Sequence, residues 1–331
     1  MKKIVTFGEV MMRLSVPQFG RFEQATQFNV TYAGAEANVA VSCACFGANA
    51  VHVTALPDHP LGHAAAQSLR RFGLDTSHVK FQNGRLGTYY LENGAMARAS
   101  KIVYDRTDSA FSHIQKDTFD WEQILQGADW FHWSGITPAL SQGAADACWE
   151  AIETANQLGV RVSGDIYFRS NLWQYGKEPQ DILPKLTAGC DLVLANADNF
   201  NEIYGVDAPD FETGCGNMKT VFPRIKYFTD TTRKQISASH NQISGRLFDG
   251  LNTYESAIYD LTHIVDRIGG GDAYVAGLLY GLQNYADLQT AIEFATAATA
   301  LKHSIEGDHN LVSVQEIETL LNGDTSGRLR R

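Results

Sequence analysis

Apolar residues in this chain fall into runs of two kinds. The first kind is short and unbroken: Ile4-Val5-Thr6-Phe7, ending in Gly8-Glu9, then Val51-His52-Val53-Thr54-Ala55, Trp130-Phe131-His132-Trp133, Val160-Arg161-Val162-Ser163 and Leu192-Val193-Leu194-Ala195. Brief β-branched and aromatic runs that do not alternate suit strands buried on both faces. The second kind, over 61–72 and 144–158, has the look of helices. Strand alternating with helix predicts an α/β fold, a doubly wound and mainly parallel sheet with helices on both sides. Segments 13–32 and 86–106 break that rhythm, because both alternate side-chain character over short spans without a helical period. They predict a small β-sheet projecting from the edge of the core as a lid, with Asn93-Gly94 as its tight hairpin turn. The expected division is a core of 1–12, 33–85 and 107–323, a lid of 13–32 and 86–106, and a flexible tail over 324–331.

The last third of the chain carries the candidate chemistry. A strand is expected near Tyr254, a strand end at 263–266, a turn over 267–272, and helices over 273–282, 288–303 and 314–321. Gly269, Gly270 and Gly271 let the backbone approach a ligand, and the free N–H groups and dipole of the helix that follows favour an anion such as phosphate. Asp272 stands where a carboxylate can take a proton from an attacking hydroxyl. A glycine turn with an acid that merely caps its helix has the same pattern, so this loop alone leaves both readings open. It lacks the G-K-[ST] ending of a phosphate-binding P-loop, which disfavours a Walker-type ATPase.

Bulk composition narrows the partners. Hydrophobic residues make up 44% and charged ones 19%, an ordinary globular balance. A net charge of −10 opposes nucleic acid and anionic membrane surfaces, and an anionic substrate would need arginines placed locally in its site. The five cysteines are scattered, without paired spacing for zinc or redox work. No run approaches membrane-spanning length and the N-terminus lacks a signal-peptide core, so the expected location is the cytoplasm.

The stretch Asp266-Arg267-Ile268-Gly269-Gly270-Gly271-Asp272-Ala273-Tyr274 resembles the C-terminal signature of ribokinase-like (PfkB) carbohydrate kinases, D-T-x-G-A-G-D-x-F. More closely, the chain resembles the 2-keto-3-deoxygluconate kinases. The likeness runs through Gly8-Glu9 with Arg13-Leu14, Tyr32 to Ala40, Ser68 to Gly73, Val103 to Arg106, Asp129 to His132 and Ala300 to His303. It implies a ribokinase-like fold and ATP-dependent phosphorylation of a sugar acid, with Asp272 as general base and Gly269 and Gly271 in the catalytic loop. For the substrate it implies Gly34, Glu36 and Asn38, a lid tyrosine matching Tyr89 or Tyr90, with Tyr90 carried forward, and Tyr104, Arg106, Arg169 and Asp308. For ATP it implies Asn196, Thr231 through Arg233, Gly269 to Gly271 and Thr296. Magnesium is expected on the nucleotide phosphates, with no metal ligand assigned to the chain itself.

Three positions depart from the family pattern. Tyr167 replaces an asparagine between Asp165 and Arg169, Asn199 replaces an acid in the motif that starts at Asn196, and Glu306 stands where a proline is common. The first two leave open a weakened enzyme that acts as a sugar-acid sensor, with Asp198 as a compensating acid. A kinase of a neutral ketose or pentose is the other alternative. Unpaired lid strands lead to the expectation of a homodimer formed through the lids.

Overall fold

A computed structural model describes residues 2–167 and 169–324, so the expected tail lies outside the described residues except for Asp324. Its main sheet runs, from one edge, Thr253–Glu255, Asn241–Phe248, Tyr227–Gln235, Leu192–Leu194, Arg161–Asp165, Trp130–Ser134, Lys3–Phe7 and Asn49–Val53. Tyr259–Leu261 also pairs with Asn241–Phe248. From Tyr227–Gln235 to Asn49–Val53 every pairing is parallel, and the strands beyond are antiparallel.

The unbroken apolar runs are explained by burial on both faces. Val5, Phe7, Val51, Val53 and Phe131 point into one core, and their neighbours Ile4, Ala50 and Trp130 point into the other. Each core is closed by helices, including Gln142–Gln157 on the first side and Ala35–Cys45, Gly270–Asn284 and Leu288–Lys302 on the second. The fold is thus the expected α/β layer arrangement, with its parallel strand ends, where such folds place their ligands, gathered on one side.

A separate sheet stands at that side, in the order Asn29–Ala33, Met11–Ser15, Thr88–Glu92, Lys101–Asp105. Thr31, Arg13, Tyr89 and Tyr104 form one row across it, because Arg13 pairs with Thr31 and Tyr89, and Tyr89 with Tyr104. Side chains alternate between faces along a strand, so Val30, Leu14, Tyr90 and Val103 make the opposite row.

Two local expectations are corrected, and one element is added to them. The hairpin does not turn at Asn93-Gly94: Ala95 bridges Arg98, and Met96 has a φ of 53°. Gly94 N–H donates to Ser100 Oγ at 2.9 Å, and Ala238 N–H donates to Met96 O at 2.8 Å, so tertiary contacts place the turn. Residues 263–266 are not in a strand; Val265 N–H is held by His303 O at 2.8 Å. Finally, the hairpin of Tyr227–Gln235 and Asn241–Phe248 was not foreseen, because its outer half, Thr232 to Gln235, is polar and exposed.

Candidate active site

A cavity of about 330 Å³ lies where the lid sheet meets the parallel strand ends and the N-terminus of the helix Gly270–Asn284. Gly269 precedes that helix with a φ of +79°, a left-handed conformation costly for residues with a Cβ. A Cβ there would also lie 1.9 Å from the carbonyl oxygen of Asp308. The first helical turn closes when Ala273 N–H reaches Gly269 O at 2.9 Å, which leaves the amides of Gly270, Gly271 and Asp272 without intrahelical acceptors. Nothing stands within 4 Å of a Cβ built on Gly271, so this end of the helix opens onto free space. Arg267, also in the wall, makes no ion pair among the described residues. Amides, dipole and an unpaired guanidinium on one wall make a receptor for a polyanion.

Asp272 is half-buried in the same wall and accepts a 2.7 Å hydrogen bond from Asn38 Nδ2. Burial, against the help of that bond, pushes its carboxyl up to about 8, and Asp165, Asp308 and Glu36 add to the rise. Asn38 is buried at the start of the helix Ala35–Cys45, and its Oδ1 has no partner among the described residues. It is a buried acceptor left without a partner on a residue that lines the cavity. Gly34 brings that helix start against the strand end at Glu9, where a Cβ would meet Glu9 O at 2.0 Å. Asp165, pushed by burial to about 6, ends the strand Arg161–Asp165, and Arg169 lies beyond it in the wall.

A buried ionic network underlies the loop. Arg13, from the lid strand Met11–Ser15, donates to Asp266 Oδ2 at 2.5 Å and to Asp308 Oδ1, and Tyr89 donates its hydroxyl to Asp308 Oδ2. Asp266 also accepts from the amides of Ile268 at 3.0 Å and Gly307 at 3.1 Å. Lid, glycine loop and the segment carrying Asp308 are tied together beneath the cavity.

Of the residues singled out in the sequence, Gly34, Asn38, Tyr104, Arg106, Arg169, Thr231, Gly269, Gly270, Gly271, Asp272 and Asp308 line this one cavity. Five others do not. Glu36 is turned into the core, where its Oε1 accepts from Ser134 Oγ at 2.6 Å and Thr137 Oγ1 at 3.0 Å. Tyr90 lies on the other face of its strand, its ring 5.9 Å from that of Phe28, and the tyrosine facing the cavity is Tyr89. Asn196 caps the helix Ala197–Tyr204 in a reciprocal box with Asn199, which gives Asn199 a local role that an amide fulfils. Thr296 is buried and donates back to Ile292 O at 2.9 Å. Arg233 is just outside the wall, 3.3 Å from His303 Nε2.

Arg106 lines the cavity with its guanidinium already committed, since Nε and Nη2 both donate to Glu9 Oε2. Arg13, Asp266 and Arg267 were missed as site residues. Of these, Asp266 matches the opening acid of the resembling signature and Arg267 is an arginine where that signature has threonine, whereas Arg13 is set apart by no such motif.

Comparison with known proteins extends the picture to the whole chain. The family described as pfkB family carbohydrate kinase matches residues 1–313. A 2-dehydro-3-deoxygalactonokinase of Haloferax volcanii is 31% identical over 325 residues, 98% of this chain and 98% of that protein. The 2-dehydro-3-deoxygluconokinase of Thermoproteus tenax is 28% identical over 97% of this chain and 94% of its own length. The crystal structure of 2-dehydro-3-deoxygluconokinase from Thermotoga maritima has a TM-score of 0.93 and 41% identity, covering 98% of this chain and 100% of that one. Likeness of this extent spans sheet, lid and glycine loop together, and on it the chain belongs to the pfkB family of carbohydrate kinases.

Proposed function

We propose that the chain phosphorylates 2-keto-3-deoxygluconate at its terminal hydroxyl, with ATP as donor, to give the 6-phosphate. The observation that carries this reading is the meeting of Asp272, the first-turn amides and Arg169 around one cavity. The names of the relatives support the sugar class: this substrate, under its synonym 2-dehydro-3-deoxygluconate, and its galacto epimer.

Asp272 takes the hydroxyl proton as the hydroxyl oxygen bonds to the γ-phosphorus, and the bond to the bridging oxygen of ADP breaks. The amides of Gly270 and Gly271 and the Arg267 guanidinium face the charge on the transferring group. They fit a triphosphate, and magnesium bound with it would neutralise phosphate charge during transfer. Asn38 Oδ1 accepts from a sugar hydroxyl. Arg169, which makes no ion pair among the described residues, is the better grip for the sugar carboxylate, because Arg106 is held by Glu9. We place this activity in the cytoplasm.

The test is ADP release across a sugar panel that contains both epimers, fructose and ribose, with and without magnesium. The expected result is turnover on the sugar acids and little on the neutral sugars. Arg169→Ala should raise KM for the acid by roughly tenfold to a hundredfold, the scale of a lost charge-assisted pair. Preference for a neutral sugar would refute the acid assignment, and binding of the acid without ADP release would favour a sensor.

Val30 and Val103 are exposed on the lid face away from the cavity, beside the exposed Phe28. This supports a homodimer through the lids. Light scattering should give twice the chain mass, and Val30→Lys with Val103→Lys should return it to that of a single chain; a wild-type monomer would exclude the dimer.

A further inference from the structure

Lys302 is the last residue of the helix Leu288–Lys302, and it is fully buried. Its ammonium has three protons to donate, and each has a backbone carbonyl: Gly307 O at 2.6 Å, Asp266 O at 3.2 Å and Ile305 O at 3.2 Å. None of these oxygens belongs to its own helix, so this is not a lysine closing off the last turn. Nor does Lys302 make an ion pair among the described residues. The carboxylate of Asp266 is occupied by Arg13 and by two backbone amides.

Carbonyl dipoles that converge in a dry interior repel one another unless a cation stands between them. The oxygens here come from the two segments that shape the active cavity. Asp266 starts the turn into Gly269, and Gly307 precedes Asp308, whose backbone oxygen packs against Gly269 and whose carboxylate takes Arg13 and Tyr89. Burial lowers the basicity of the ammonium, while Asp266, Asp308 and Asp272 act in the opposite direction. The position of the loop that receives phosphate therefore depends on a cation that the chain supplies itself.

We propose that Lys302 is a built-in monovalent cation, a positioning residue whose ammonium fills a cage of backbone carbonyls and so fixes the glycine loop against the Asp308 segment. It touches neither substrate nor reacting atoms. Its effect is to make turnover independent of added potassium or ammonium. Lys302→Ala leaves the carbonyls in place and empties the space between them, which a small cation of suitable radius can then enter.

The proposal rests on the kinase activity, which wild-type turnover tests by itself; the comparison of variant with wild type tests Lys302. Steady-state kinetics of the full chain would be measured in tetramethylammonium chloride, then with potassium or ammonium chloride at matched ionic strength. Wild type should be indifferent to the cation. Lys302→Ala should lose on the order of a hundredfold in kcat/KM for ATP, as expected for a displaced phosphate receptor. Potassium or ammonium should restore roughly tenfold of that loss, and tetramethylammonium should restore none. Unchanged kinetics in the variant, or a loss that neither cation reverses, would overturn the proposal. If the variant is too unstable to assay, its melting temperature should rise in potassium or ammonium relative to tetramethylammonium, and equal melting in all three salts would overturn it as well.

Discussion

Asp272→Asn is expected to lower turnover by roughly a thousandfold or more while sugar and ATP still bind, because an amide of the same shape cannot accept the hydroxyl proton. The side chain keeps its place: the new amide oxygen can still receive Asn38 Nδ2, now 2.7 Å from the carboxylate. Two pH effects accompany the loss. In the wild type the free enzyme has this carboxyl pushed up to about 8 by burial and by neighbouring acids, so kcat/KM should rise with pH until about 8. Stability moves the other way. A carboxyl whose folded pKa lies above its unfolded value of 3.8 keeps its proton in the folded state, so folding becomes less favourable as pH rises from about 4 to about 8 and then levels off. Asp272→Asn removes that penalty. The ligand-free variant should melt above wild type by a margin that widens over this range, read by calorimetry in a pH series. Retention of more than about a tenth of wild-type turnover would eliminate Asp272 as the proton acceptor.

The largest loss of stability is expected at Arg13. Its side chain is only 1% exposed, and it bridges Asp266 and Asp308, which are 0% and 4% exposed. Arg13→Met would leave two buried carboxylates without their cation, a change that costs about 3–5 kcal/mol when one partner of a buried pair is removed. The check is the denaturation midpoint, which should fall well below that of the wild type. Arg13→Lys should recover only part of the loss, because one ammonium cannot span two carboxylates as a guanidinium fork does. Adding Asp308→Asn to Arg13→Met should cost less than the sum of the two single changes, since the second removes a charge that the first left unpaired. Strict additivity would show that the pair is not coupled.

The different fates of the site residues have a common cause. Asn38, Gly269 and Asp272 sit at helix starts, where local sequence determines backbone conformation, and their expected positions coincide with the cavity. Tyr89 and Tyr90 are neighbours in one strand, and either matched the pattern. Only the pairing of Tyr89 with Arg13 and Tyr104 decides which ring faces inward. Glu36 lies two residues before Asn38 on the same helix, which turns it toward Ser134 and away from the cleft. Arg106 carries the charge an anionic ligand calls for, yet Glu9, 97 residues earlier, already holds it.

Taken alone, the sequence settled the layered α/β architecture, the kinase family and the presence of an acid directly after three glycines. These follow from short-range patterns: unbroken apolar runs, turn glycines and a contiguous signature. Only the tertiary structure decided which polar side chains reach the cavity and which cations hold it in shape. Arg13 finds its carboxylates 253 and 295 residues away, and Lys302 finds a carbonyl 36 residues upstream. Arginine and lysine are ordinarily solvent-exposed, so nothing local marks either as buried. Their burial becomes favourable only when distant acids and carbonyls converge to replace water.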